Sequence, residues 1–187
     1  MHTLDITIEN LAKVEGSVSV EIKVIDGKVE YTHFKAVDFK RFFTNAMEGK
    51  PIAAIPQLLA RICGTCSNAH ILCAIEACER ALGIQPSEQT ILMRYLTCYG
   101  LMIRDHALHL YLFVTPDIYG KDNFLDFDEN KPEEHQLLHD AFDVKAAGNF
   151  LNTLIAGRAV HALHPTIGGF LHFPEKEGVG EAIKKLK

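Results

Sequence analysis

The chain lacks a basic stripe. Its 187 residues carry 19 Lys and Arg against 24 Asp and Glu, a formal net charge of -5, with the lysines scattered along the sequence. A protein that grips phosphate backbones needs clustered cations, so nucleic acid is excluded as a partner. The opening residues, with Asp5, Glu9 and alternating polar positions, lack the basic and apolar regions of a signal peptide. The one long apolar run, Ile91 to Val114, is interrupted by Arg94, Arg104, Asp105, His106 and His109. That is too many polar groups for a lipid-facing span, and the run reads as a buried helix with no transmembrane segment. The five cysteines are odd in number and crowd the middle third, which suits a reduced, cytoplasmic setting better than a disulfide framework. There is no internal repeat, no low-complexity segment and no four-cysteine spacing for an iron–sulfur cluster.

What is present suits an α+β fold. A chain of this length suits one main domain and buries roughly 70% of its unfolded surface, enough for a real core. Thr3 to Glu9, Ser17 to Ile25 and Lys28 to Lys35 alternate in the manner of strands, and Asp26-Gly27 between the last two is a two-residue hairpin signal. The sequence therefore predicts a β-rich segment over 1–36, a small antiparallel sheet, followed over 37–187 by a mainly helical bundle. Asp38 is positioned to cap a helix running to about Met47, with Gly49 after its end. Another helix is expected from about Cys66 to Leu82, closed by Gly83, and a long one from Ser87 to just before Pro116. Because that long helix is apolar almost all round, it should lie among several neighbours. A further helical segment spans Pro132 to Gly157 with Gly148 as a possible break, then an irregular Gly-, Pro- and His-rich stretch to Pro174 and a short helix over Gly178 to Lys187.

Chemistry concentrates in Arg61 to Cys73, R-I-C-G-T-C-S-N-A-H-I-L-C. With a helix starting near Cys66, the side chains of Cys66, His70 and Cys73 share one face, and Cys63 sits just before its first turn. Three readings are open. A redox thiol pair belongs after a strand in a βαβ unit, and no such pattern precedes Cys63. A closed zinc site from Cys63, Cys66, His70 and Cys73 is geometrically plausible, yet four ligands so close in sequence hold little structure together. The third is a site completed by residues from elsewhere.

R-I-C-G-T-C-S-N-A-H resembles the N-terminal cysteine motif of nickel–iron hydrogenase large subunits, R-x-C-G-x-C-x-x-x-H, at every fixed position. Four further stretches agree in order and approximate spacing: Lys13-Val14-Glu15-Gly16, Arg41-Phe42-Phe43 with Glu48-Gly49-Lys50, Asp105-His106-Ala107-Leu108-His109-Leu110-Tyr111, and Gly157-Arg158-Ala159-Val160-His161 through Gly168-Gly169-Phe170. The resemblance covers nearly all of the chain and the first half, or less, of a usual large subunit. It implies the large-subunit fold and an enzyme that splits or forms H2. Cofactor-free relatives in respiratory complex I have lost the cysteines; Cys63 and Cys66 place this chain with the metal-binding branch.

Residue by residue, the resemblance implies that Cys63 is a terminal nickel ligand and that Cys66 bridges nickel and an iron carrying CO and cyanide. Arg61 completes the motif, and His70 would donate a hydrogen bond to the bridging sulfur. Glu15 matches a carboxylate that relays protons, and Asp105 matches an aspartate that orients an arginine of the absent half. His106 and His109 are either neighbours of the site or core histidines. Thr44 stands where the family carries a magnesium-binding glutamate, and a hydroxyl is a poor substitute for a carboxylate toward a hard cation, so magnesium is not expected in its usual form.

The second cysteine motif, D-P-C-x-x-C-x-x-H, is absent, and Cys73, Cys78 and Cys98 read as core thiols. The expectation is a split catalytic subunit, with the other two cysteines on a separate chain equivalent to the C-terminal half, an iron–sulfur small subunit to carry electrons, and an electron-acceptor module beyond it. A non-catalytic scaffold subunit and a structural zinc protein stand as alternatives. Elsewhere, His135 and His139 share a helix face, but Gln136 rules out the H-E-x-x-H form, and a solvated face is expected.

Overall fold

The computed structural model describes residues 2–12, 14–37 and 40–187, so the capping role expected of Asp38 and the Lys13 position lie outside the described residues. The chain forms two compact units, Met1–Ala46 and Met47–Lys187.

The first unit is a three-stranded antiparallel sheet of order β1-β2-β3, with β1 at Thr3–Ile8, β2 at Val18–Ile25 and β3 at Lys28–Ala36. Asp26 and Gly27 turn the hairpin with φ of 47° and 77°, the two positive values that a type I′ turn demands. The register sets Ile8 opposite Val20 and Val20 opposite Phe34, and likewise Leu4, Val24 and Val29 in a row. One face of the sheet is thus apolar, and Leu4, Ile8, Val29 and Phe34 on it remain exposed. Helix α1, Lys40–Met47, follows and is closed by Gly49 at φ 71°.

The second unit is helical. Short α2 (Ile55–Leu59) leads through a turn into α3 (Ser67–Leu82), which Gly83 ends in the left-handed conformation. Ser87 caps α4 (Glu88–Ala107) by accepting from the Thr90 N–H at 3.2 Å. The helical path does not stop before Pro116 as the sequence suggests. Leu108–Val114 widens into a π-helix and α5, Thr115–Ile118, carries the chain past the proline. Pro116 offers no N–H and its ring clashes with the carbonyl four residues back in a regular α-ladder. The wider turn removes that conflict, and the Thr115 hydroxyl donates to Leu110 O at 2.7 Å.

Helix α6, Pro132–Ala156, packs along α4. Gly148 is no break in it. A Cβ there would lie 2.7 Å from the Arg104 backbone nitrogen and 3.0 Å from Gly100 O, and a Cβ on Gly100 would meet the Asn152 side chain at 2.6 Å. The two glycines are what allow the helix backbones to touch. After Gly157, a loop and a two-residue ladder, β4 (Pro165–Thr166) with β5 (Gly169–Phe170), lead to α7, Lys176–Lys185.

Three apolar clusters fill this unit: Ala60, Ile71, Ile75, Ala156 and Ala162; Met93, Leu151, Ile155 and Phe170; and Phe124, Phe127 and Ala141. The neighbours expected on several sides of α4 are only partly there. Leu92, Tyr95, Tyr99 and Met102 line an exposed stripe, and the Tyr95 and Tyr99 rings stack with centroids 6.2 Å apart. The loop before α6 is pinned by Glu134, which accepts from Lys121 Nζ at 2.8 Å, from the Asp128 N–H at 2.6 Å and from Lys131 Nζ at 3.2 Å. Those bonds, that of Lys121 foremost, hold its carboxyl down to about 2.

Two outcomes follow. G148A loses about 1–3 kcal/mol in urea denaturation through overpacking at the α4–α6 crossing, whereas G180A, with nothing within 4 Å of the new methyl, gains about 0.5–1 kcal/mol as a helix alanine. Equal effects would refute the crossing argument. Second, because the Glu134 carboxyl is depressed, its contribution is complete above the ordinary 4.5 and is lost as pH falls toward about 2. Thermal melts across that window should be less acid-sensitive in E134Q.

Candidate metal centre

Two thiols head the cysteine turn. Cys63 and Cys66 are half-buried, and their sulfurs lie within 4.8 Å of one another. The Cys66 N–H donates to Cys63 Sγ at 3.2 Å, so the turn curls around the first sulfur and brings the second beside it. Gly64 between them has open space on its Cβ side. Arg61 is exposed just ahead of the turn.

Helix α3 starts at Ser67 rather than at Cys66, which is its N-cap. His70 is half-buried one turn into α3, and Cys73 is exposed. Among the described residues, the donor atoms of Cys63, Cys66, His70 and Cys73 do not come together within 4.8 Å. A closed four-ligand zinc site is therefore not formed, and Cys73 is not a core thiol either. Cys78 is buried, and that burial pushes its thiol up.

The other sequence candidates sit as follows. Asp105, near the end of α4, places Oδ2 3.8 Å from His109 Nε2, while its Oδ1 is buried with no hydrogen-bond partner among the described residues. His109 also meets the Phe113 ring edge-on, and His106 is exposed. Glu15 belongs to the first unit, exposed beside Gly16 between β1 and β2. Thr44 is exposed on α1. His135 and His139 are exposed on α6 with ring centroids 4.3 Å apart.

The residues that support the cysteine turn escaped sequence reasoning. Ser67 Oγ accepts from the His161 N–H at 3.0 Å, and His161 Nδ1 lies 2.9 Å from Ala60 O. Gln57 Nε2 donates to Ala162 O at 3.2 Å. These bonds tie the loop after α6 to both sides of the turn, with His161 itself in the left-handed region at φ 59°. Beneath them the fully buried amides of Asn68 and Asn152 meet at 3.2 Å. Turned about its terminal bond, the Asn152 amide instead meets Thr97 O at 2.9 Å and the Leu101 N–H at 3.0 Å. Arg104, 5% exposed, donates to Thr65 O inside the cysteine turn and to Ala159 O in the loop.

Farther along α3, Glu79 is 3% exposed and takes both Arg94 guanidinium nitrogens at 2.6 and 2.8 Å together with the Gly168 N–H at 2.7 Å. The Arg94 bonds hold its carboxyl below the usual range despite burial. The one available signal for these supports was charge inside an apolar run: Arg94 and Arg104 had to find buried partners.

Residues 41–155 match the family model described as nickel-dependent hydrogenase. Sulfhydrogenase 2 subunit alpha of Pyrococcus furiosus is 36% identical over 182 residues, covering 97% of this chain and 43% of that protein. Sulfhydrogenase 1 subunit alpha of the same organism is also 36% identical, covering 98% and 41%. Among solved structures, an NAD+-reducing [NiFe]-hydrogenase in the H2-reduced state superposes with a TM-score of 0.76 at 25% identity, over 97% of this chain and 42% of that one. The chain thus spans about two fifths of the length of the curated relatives it matches.

The thiol geometry makes a simple prediction. C73S should leave bound transition metal unchanged, and C63S or C66S should abolish it, as read by elemental analysis of the purified protein. Metal loss in C73S would restore the zinc reading.

Proposed function

The chain belongs to the nickel-dependent hydrogenase family, and on that premise we propose that its cysteine turn supplies two thiolates to a nickel–iron centre that interconverts H2 with protons and electrons. The observation that carries this reading is the adjacent pair of Cys63 and Cys66 sulfurs, within 4.8 Å of each other at the head of α3. Thiolates are soft donors with lone pairs enough to serve two metals, which fits nickel and iron better than a hard cation. The orphaned Asp105 Oδ1 also fits, since a buried acceptor without a partner suits a cationic donor. Bound here, the centre supplies heterolytic cleavage and formation of H2.

Within that reading each residue has a task. Cys63 would hold nickel through its sulfur, which would also be a place where a proton can rest. Cys66 would offer its sulfur to the metals, and His70 would lower the charge on that sulfur by hydrogen bonding. Arg61 leads into the turn. Glu15 takes up and passes on a proton at a carboxylate oxygen. Asp105 orients a cationic side chain through its free oxygen. The iron of such a centre would carry CO and cyanide. Thr44 provides only a hydroxyl, so the proposal includes no magnesium site of the usual form.

Two thiolates do not complete the centre. The remaining ligands come from the counterpart of the family's C-terminal half, carried by a separate chain or by further sequence. The exposed stripe of α4 supports such a partner, because apolar surface of that extent is normally covered. Electrons leave through an iron–sulfur subunit to an acceptor module, since the five cysteines here offer no cluster spacing. Five free thiols suit the cytoplasm, and among the described residues no helix is long and apolar enough to cross a membrane.

The test is elemental analysis with infrared spectroscopy on the native complex isolated through this chain. Nickel and iron together with sharp bands of iron-bound CO and cyanide are expected, and the co-purified polypeptides identify where the other cysteines reside. Zinc alone, or a complex devoid of metal, would overturn the proposal.

A further inference from the structure

Arg104 is the only guanidinium among the described residues that reaches the cysteine turn and the Gly157–His164 loop together, and it does so from a buried position on α4. Taking a guanidinium out of water is costly, and it persists only where its donors are matched. The planar fork suits this arrangement because two donors with fixed divergence can satisfy two carbonyls on separate segments.

The acceptor in the turn is Thr65 O. A peptide unit is planar, so the bond that fixes a carbonyl also fixes the direction of the N–H on the other side of it. Here that N–H belongs to Cys66 and points at Cys63 Sγ, 3.2 Å away. The other acceptor, Ala159 O, belongs to the loop whose His161 N–H donates to Ser67 Oγ on the far side of the turn. Arg104 is itself immobilised: Gly148 of α6 lies so close that a single added carbon would stand 2.7 Å from the Arg104 backbone nitrogen.

We propose that Arg104 is a positioning residue for the metal-binding thiols, holding the Thr65–Cys66 peptide so that its N–H stays aimed at the Cys63 sulfur. The role rests on the reading of Cys63 as a nickel ligand. A hydrogen bond to a thiolate withdraws electron density from it, and such bonds tune the potential of the metal it holds. Removing Arg104 frees the peptide to rotate, weakens that bond and leaves the sulfur richer in electrons.

The experiment compares wild type, R104K and R104M in the native complex by three readouts. Nickel content should fall at least twofold in R104M. The molecules that keep the centre should show CO bands at lower frequency and a more negative midpoint potential by infrared spectroelectrochemistry. Hydrogen exchange should speed up in residues 62–67 and 157–164 while α4 and α6 remain protected. R104K, which keeps the charge but reaches one carbonyl, should fall between. If R104M does not assemble, R104K decides by the same local exchange and band shift. Unchanged nickel, bands and exchange in the assembled variants would overturn the proposal, as would exchange raised evenly across α4 and α6, which marks a residue that merely holds the fold. A wild-type complex without nickel would instead sink the hydrogenase reading, and the exchange pattern alone would then judge Arg104.

Discussion

A buried polar layer between α3, α4 and α6 is the constraint on which the helical unit depends. Asn68, Asn152, Thr97 and Arg104 sit where an ordinary bundle would place leucines. Each such group is expensive to bury unless its partners are in place, which makes the layer intolerant of alternative packings. The cysteine turn and the loop after α6 are irregular backbone, and irregular backbone has carbonyls and N–H groups without a ladder to satisfy them. The layer meets that need with side chains carried on rigid helices. The turn is ordered because its carbonyls and hydroxyls are partners of groups that cannot move.

Glycine makes the layer possible. Gly100 and Gly148 bring the α4 and α6 backbones so close that the Asn152 amide on one side and the Arg104 backbone on the other leave no room for an added methyl group. Large side chains at the crossing would push the helices apart and leave the arginine short of the turn.

Much of this was legible in the sequence. Strand alternation and Asp26-Gly27 located the sheet, Gly83 and Ser87 marked helix ends by local chemistry, and the R-x-C-G-x-C-x-x-x-H pattern marked the thiols. Local signals of this kind survive folding because they depend on neighbours in the chain. What escaped was decided by contacts distant in sequence. Gly148 looks like a helix breaker until α4 is seen against it. Pro116 looks like a stop until the preceding turn is seen to widen. Cys73 lies on the expected helix, yet its thiol is exposed and apart from the Cys63–Cys66 pair. Asn68 and Asn152, distant in sequence, carry no pattern that announces their pairing.

The π-helical stretch at Leu108–Val114 has a further consequence for how this chain can vary in length. A π-turn holds one residue more than the α-turn it replaces, and each residue of an α-helix advances the face by about 100°. The rotational setting of Asp105 upstream against Thr115 and Pro116 downstream is therefore fixed by that surplus residue. A one-residue deletion here would close the wide turn into a regular helix with the downstream face unchanged, and would set the Pro116 ring back against the carbonyl four residues before it. Tightening the turn without losing a residue would instead rotate Thr115–Ile118, and the loop it leads into, by about 100°. Length changes are therefore not absorbed within this stretch.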